Sequence, residues 1–209
     1  MAHKTEDLDA LYGAASPAEA RRLYDDWAKT YDAENFAKGF WLPIVGAGLF
    51  AKHAGQVDGR VLDAGCGTGL AGVTLRQLGY GPLTGCDLSP EMMAVAAQTG
   101  CYADFAEADM GAGLPFDDGH FAGFTCFGSF GPGHAPPHSL EHLARVTRKG
   151  GVGVFNVVEA TYEEQGFPAL IDRLCADGVW QVEESTAPLR AYLLAEADLL
   201  VRCYAVRMR

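Results

Sequence analysis

Three acids in this chain stand at or just past the ends of short strand-like runs, each where the polar edge of a bound molecule would want a carboxylate. Asp63 follows Val61-Leu62, Asp87 follows Leu83-Thr84-Gly85-Cys86, and Asp109 follows Glu107-Ala108. Directly after Asp63 the chain reads Ala64-Gly65-Cys66-Gly67-Thr68-Gly69, with glycine at every second position. Without Cβ atoms, such a loop lets a bulky, charged ligand approach main-chain N–H groups, so it reads as a cofactor loop. Asp87 lies 20 residues beyond Gly67, where a carboxylate can accept from both hydroxyls of a ribose. That implies a nucleoside. Asp109 is placed to accept from an adenine amino group, with the next backbone N–H, that of Met110, directed at a ring nitrogen. Asp63 would orient the loop or a bound water. The plainer alternative for all three acids is that they cap the turn or helix that follows.

Acids at strand tips need strands that run the same way. Residues 60–63, 83–87, 102–107, 121–127 and 151–158 predict strands, and residues 70–78, 90–98 and 138–147 predict the helices between them. Strands joined by helices of this length are parallel, which predicts an α/β fold with a doubly wound, mostly parallel sheet. Two further β-like runs, 180–186 and 199–208, follow a helix over 167–176 and have no long helix between them. They predict an antiparallel hairpin at one edge, making seven strands in all. Ahead of the first strand, Ser16-Pro17-Ala18-Glu19 is a helix start with a cap, a proline and a glutamate. Its stripe holds Leu23, Trp27 and Tyr31 with Tyr24 beside it, and a second helix is expected over 42–54. One domain is expected over 1–209, a helical cap (1–56) on a Rossmann-like core (57–209).

The pattern resembles the class I S-adenosylmethionine-dependent methyltransferases. The segments that carry the resemblance are VLDAGCGTG, LTGCDLSP, EADM and LARVTRKGGVGVFNV, together with the antiparallel tail. The opening LYDDWAKTYD is similar to the YDxWAxxYD of small methyltransferases of the Williams-Beuren-region group. This resemblance implies S-adenosylmethionine as cofactor. It implies cofactor contacts at Asp63, Gly65, Cys66, Gly67 and Gly69, at Asp87 and Leu88 on the ribose side, and at Asp109 and Met110 on the adenine side. Carbonyls around Cys126 and Phe127 are implied for the methionine amino group. Tyr24, Trp27 and Tyr31 are implied as lid residues, with a core stripe as the alternative.

A nicotinamide-binding domain is the rival, since Gly67-Thr68-Gly69-Leu70-Ala71-Gly72 satisfies G-x-G-x-x-G. Its register starts two residues late, and Asp63 would oppose an anionic pyrophosphate. A third reading is a non-catalytic binder of the cofactor or its demethylated product.

Lys and Arg total 16 against 27 Asp and Glu, a net charge of -11, which disfavours a nucleic-acid partner. No apolar stretch reaches the roughly 20 residues of a bilayer span, and the opening to Asp9 is polar and acidic, so a cytoplasmic protein without a membrane partner is expected. Six cysteines without a CxxC pair predict reduced thiols, with Cys66, Cys86 and Cys126 in the core. His138-Ser139-Leu140-Glu141-His142 matches the H-x-x-E-H zinc pattern. Leu140, Leu143 and Val146 already account for that helix as a sheet cover, so no metal is expected.

Methyl transfer from a sulfonium is an in-line displacement that depends mainly on holding donor and acceptor in line. The acceptor side is expected in the loop from Phe127 to His134, with Phe127, Phe130 and Trp41 as aromatic walls. His134 is the candidate catalytic base, should the acceptor lose a proton. The [DN]-P-P-[YFW] pattern of base-methylating relatives is absent, which leaves a small-molecule acceptor as the expectation.

Overall fold

The computed structural model describes residues 10–209; the polar opening before Ala10 lies outside the described residues. Five parallel strands form the first part of the sheet: β1 (Val61–Ala64), β2 (Leu83–Asp87), β3 (Tyr102–Glu107), β4 (Phe121–Cys126) and β5 (Thr147–Val158). After β5 come β6 (Trp180–Ser185), the two-residue β7 (Leu189–Arg190) and β8 (Leu200–Met208). The strand order is β3-β2-β1-β4-β5-β8-β6, with β7 paired to β8 off this path. The expected mostly parallel, doubly wound α/β sheet is present, with seven strands on the main path and β7 as a short eighth.

The tail pair adds its strands in an order that burial explains. β8 lies antiparallel between β5 and β6. Its residues alternate between two cores: Val201, Cys203 and Ala205 face one, Tyr204, Val206 and Met208 the other. A strand apolar on both faces belongs inside a sheet, whereas β6 alternates buried and exposed residues as an edge strand does.

Helices cover both faces. Before β1 stand α1 (Pro17–Trp27), α2 (Tyr31–Ala37) and α3 (Leu42–Ala54); within the sheet's crossovers lie α4 (Leu70–Gln77), α5 (Pro90–Gln98) and α6 (Ser139–Val146); α7 (Glu159–Tyr162) and α8 (Phe167–Ala176) follow β5. One core packs Leu62, Phe124 and Phe155 against α6 and α8; the other packs Val61, Leu83 and Val154 against α3 and α4. Adjacent residues Val61 and Leu62 thus serve opposite cores, the side-chain alternation of a strand buried on both sides. Leu140, Leu143 and Val146 are fully buried, as expected of a sheet cover.

Two caps start helices at the site. Ser16 Oγ accepts from the Glu19 N–H at 3.2 Å, while Glu19 reaches back to the Ala15 N–H at 2.9 Å. Ser89 Oγ accepts from the Met92 N–H at 3.1 Å at the start of α5. The stripe through Tyr31 was expected on one helix, but α1 stops at Trp27. The Thr30 N–H turns back onto the Trp27 carbonyl at 3.1 Å, and Trp27 Nε1 donates to Glu34 of α2 at 2.9 Å. The cap is therefore two helices with a corner. No helix among the described residues is long and apolar enough to cross a membrane.

Candidate active site

At the C-terminal end of β1 the glycine loop turns with positive φ at Gly65, Gly67 and Gly69. Gly65 also admits no Cβ, which would stand 2.0 Å from Ser129 Oγ. The expectation that the loop's amides wait for a ligand is corrected by their hydrogen bonds. Gly65 and Cys66 donate to the Cys86 carbonyl at 2.8 and 3.0 Å, and Gly69 donates to the Cys66 carbonyl at 2.9 Å. Gly67 donates to Asp87 Oδ2 at 2.8 Å. Parallel pairing sets Ala64 beside Cys86, so the β2 tip draws these donors inward. What the loop turns toward a ligand is bare Cα surface, and these four N–H groups are no cradle for a phosphate.

Asp63 is not on the cavity wall. It is 1% exposed and ties three strands together. Thr125 of β4 donates to its Oδ1 at 2.9 Å, and Tyr102 of β3 donates to its Oδ2 at 2.6 Å. Tyr102 reaches it across Gly72, where a Cβ would lie 2.2 Å from the phenol oxygen. Burial pushes the Asp63 carboxyl up to about 6, against the pull of both hydroxyls. Neither Tyr102 nor Thr125 was expected at the site; no local pattern marks a partner 39 or 62 residues away.

Asp87 does line the cavity. Its Oδ2 holds Gly67 and its Oδ1 accepts the Ser89 N–H at 2.9 Å. Burial raises its pKa above the usual carboxylate value, against the backbone N–H groups of Ser89, Gly67 and Leu88 that pull it down. A carboxylate offers about four acceptor positions, so a diol can still be accommodated. Asp109 also lines the cavity, its Oδ1 accepting the Gly111 N–H at 2.8 Å, with Ala108 and Met110 beside it.

The cavity measures about 290 Å³, the lower end of the roughly 300–1,000 Å³ of small-molecule sites. Gly65, Gly67, Asp87, Leu88, Asp109, Met110 and Phe127 are on its wall, as are Tyr24, Tyr31 and His134. Among the described residues two carboxylates line it, and no lysine or arginine does. Cys66, Gly69 and Cys126 are not on the wall. The Cys66 and Cys126 thiols are buried, and burial holds both well above the ordinary thiol value. Cys86 is likewise buried and raised to about 12, and all six cysteines are free.

The aromatic residues divide differently from expectation. Phe127 forms a wall, its ring seated on Gly46 of α3, where a Cβ would meet it at 2.0 Å. Phe130 does not; it is 1% exposed and packs edge-on against Phe155 and Phe167. Trp41 is also elsewhere, its Nε1 donating to the Arg190 carbonyl at 2.7 Å. Trp27 is buried and absent from the main cavity, but it lines a smaller one behind it. The cap's corner holds the Trp27 ring, and the Arg190 carbonyl holds that of Trp41.

Sequence reasoning missed two of the cap's aspartates, Asp25 and Asp32. Asp25 accepts the Ser89 hydroxyl at 2.5 Å, and Asp32 accepts the Thr68 hydroxyl at 2.6 Å. The repeated Tyr-Asp of LYDDWAKTYD was the available signal: Tyr24 and Tyr31 line the cavity while Asp32 and Asp25 grip the rims of the glycine loop and α5.

His134 is partly buried, and its desolvation lowers its pKa, so the ring is neutral at pH 7. Its Nδ1 lies 2.6 Å from the Pro132 carbonyl, which only accepts, so Nδ1 carries the hydrogen. Nε2 is then the acceptor for the Tyr24 hydroxyl at 2.7 Å. At the H-x-x-E-H segment, His138 Nε2 bonds the Gly111 carbonyl at 2.9 Å. No cluster of metal-binding side chains occurs among the described residues.

Residues 61–151 match the family model described as a methyltransferase domain. Human methyltransferase-like protein 27 is 29% identical over 179 residues, covering 82% of this chain and 72% of that protein. Demethylmenaquinone methyltransferase of Chlorobaculum tepidum is 29% identical over 126 residues, covering 58% of this chain and 52% of its own. The yeast (Saccharomyces cerevisiae) 18S rRNA (guanine(1575)-N(7))-methyltransferase matches a shorter segment, 43% over 61 residues, covering 29% of this chain and 22% of its own. A Thermotoga maritima structure described as an S-adenosylmethionine-dependent methyltransferase shares the fold, with a TM-score of 0.59, 16% identity, and coverage of 88% and 98%. The methyltransferase-domain match over residues 61–151 and the similarity to named methyltransferases support a class I S-adenosylmethionine-dependent methyltransferase and enzyme activity.

Proposed function

We propose that the 290 Å³ cavity binds S-adenosylmethionine and that the methyl group passes to a small-molecule acceptor. One observation carries this reading: among the described residues the cavity wall holds Asp87 and Asp109 and no lysine or arginine, while the Gly65, Cys66, Gly67 and Gly69 amides are spent within the protein. Such a wall suits a cation and opposes a pyrophosphate, which sets the sulfonium cofactor above a nicotinamide dinucleotide.

In this reading Asp87 accepts from the ribose hydroxyls beside Leu88, and Asp109 and Met110 flank the adenine. Carbonyls around Cys126 and Phe127 receive the methionine amino group. Gly65, Cys66, Gly67 and Gly69 shape the loop, Asp63 orients it from below, and Tyr24 and Tyr31 close over the ligand with Trp27 behind them. The cap and the core act as one catalytic unit. In the reaction the acceptor atom bonds the methyl carbon as the carbon–sulfur bond breaks, and the sulfur keeps the electron pair as a neutral thioether. A proton released by the acceptor goes to His134 Nε2, directly or through the Tyr24 hydroxyl. The net charge of -11 favours a small molecule over an RNA acceptor.

Calorimetric titration tests the cofactor. Micromolar binding of S-adenosylmethionine and S-adenosylhomocysteine with no response to NAD is expected; the reverse preference ends this reading.

A further inference from the structure

Behind Tyr24 and His134 lies a second cavity of about 50 Å³. It shares Tyr24, Tyr31, Gly128 and His134 with the main cavity, so the Tyr24–His134 pair stands on their common wall. Its remaining lining is aromatic and aliphatic, with Trp27, Phe40 and Tyr192 among the rings, and no Asp, Glu, Lys or Arg among the described residues contributes. One side chain breaks the apolar pattern. Asn156 of β5 is fully buried and lines this cavity. Its Oδ1 accepts the Gly128 N–H at 2.8 Å. Only the oxygen can accept, so the orientation of the amide is settled and the nitrogen is left over. That nitrogen, Nδ2, is buried and has no hydrogen-bond partner.

A buried donor without a partner is costly, and one on a cavity wall is a position that another molecule can satisfy. We infer that this cavity receives the oxygen-bearing end of the methyl acceptor and that the Asn156 amide donates to that oxygen. The inference rests on the proposed function, for which it names an acceptor class. Size limits the group that enters: a cavity of roughly 150 Å³ holds a benzene ring, so this one takes an acetyl-sized end and not a ring. Charge limits it further, since neither sign would find a counter-ion there. The acceptor is a neutral molecule whose carbonyl or hydroxyl end sits on Asn156, with its body extending past Tyr24 and Tyr31 toward the main cavity.

The test uses the full chain saturated with S-adenosylhomocysteine and acetophenone as the probe, with binding read by ligand-detected NMR. Acetophenone is expected to bind, and benzoate and benzylammonium at least about tenfold more weakly. Asn156→Asp keeps an acceptor for the Gly128 N–H and removes the donor, and it should weaken acetophenone by about tenfold. Ala191→Val, at a buried wall residue away from Asn156, should weaken acetophenone by filling the cavity. Both variants should bind S-adenosylhomocysteine as the parent does. If the loaded protein ignores acetophenone, or both variants bind it unchanged, Asn156 serves a resident water only and the inference is overturned while the cofactor reading stands. If the parent does not bind S-adenosylhomocysteine at all, the proposed function falls and this inference with it.

Discussion

The Thr68 hydroxyl, inside the glycine loop, donates to Asp32 of the N-terminal cap at 2.6 Å. With Asp25 on the Ser89 hydroxyl, it makes the cap a clasp across the two rims of the cavity. Hydrogen bonds to a carboxylate contribute about 1.5–3 kcal/mol each. Asp32→Ala should therefore raise the dissociation rate of S-adenosylhomocysteine about tenfold or more. Stopped-flow displacement measures it; an unchanged rate would mean the cap does not gate release.

Asp87 has a double duty, holding Gly67 and Ser89 by their N–H groups and, as proposed, the ribose. Asp87→Ala loses both, so S-adenosylhomocysteine affinity should fall by about a hundredfold or more. Calorimetry decides this; a loss under tenfold would move the nucleoside elsewhere.

Asp63 predicts a pH dependence. Its folded-state pKa is raised from 3.8 to about 6, so between these values the folded protein holds a proton that the unfolded chain has lost. Its contribution to stability is therefore greatest below about 4, falls as pH rises to about 6, and is constant above. Relative to the parent, Asp63→Asn should gain about 2 kcal/mol between pH 4 and pH 7. Urea unfolding at a series of pH values gives the difference; a gap that does not vary with pH would refute the assignment.

Gly46 sits inside helix α3, where alanine is normally preferred by about 1 kcal/mol. Its Cβ would overlap the Phe127 ring at 2.0 Å, so Gly46→Ala should destabilise by about 1–3 kcal/mol. Adding Phe127→Leu should restore much of that loss. Thermal unfolding of the single and double variants checks it, and a stabilised single variant would show that the ring yields freely.

Much of the site was legible because its signals are local. An acid recurs at one strand tip after another, followed by the glycine turn at the first, and Asp87 and Asp109 stand on the cavity wall as read. The residues that escaped reading are joined by distance. Phe130 and Phe127 look alike within one loop, yet one ring goes to the core and the other to the cavity because Gly46, 81 positions upstream, leaves a hollow for only one of them. Trp41 and Trp27 were drawn away by a carbonyl and a carboxylate that no spacing rule joins to them.

Hydrophobic period, cap chemistry and glycine placement are written into consecutive residues, so the chain alone determined a doubly wound sheet, a glycine loop after its opening strand and acids at neighbouring tips. Tertiary packing decided where the polar groups point. Folding brought the Cys86 carbonyl and Asp87 under the loop amides, Tyr24 onto His134, and Asn156 to the wall of a hollow, because satisfying buried donors is a problem solved across the whole molecule.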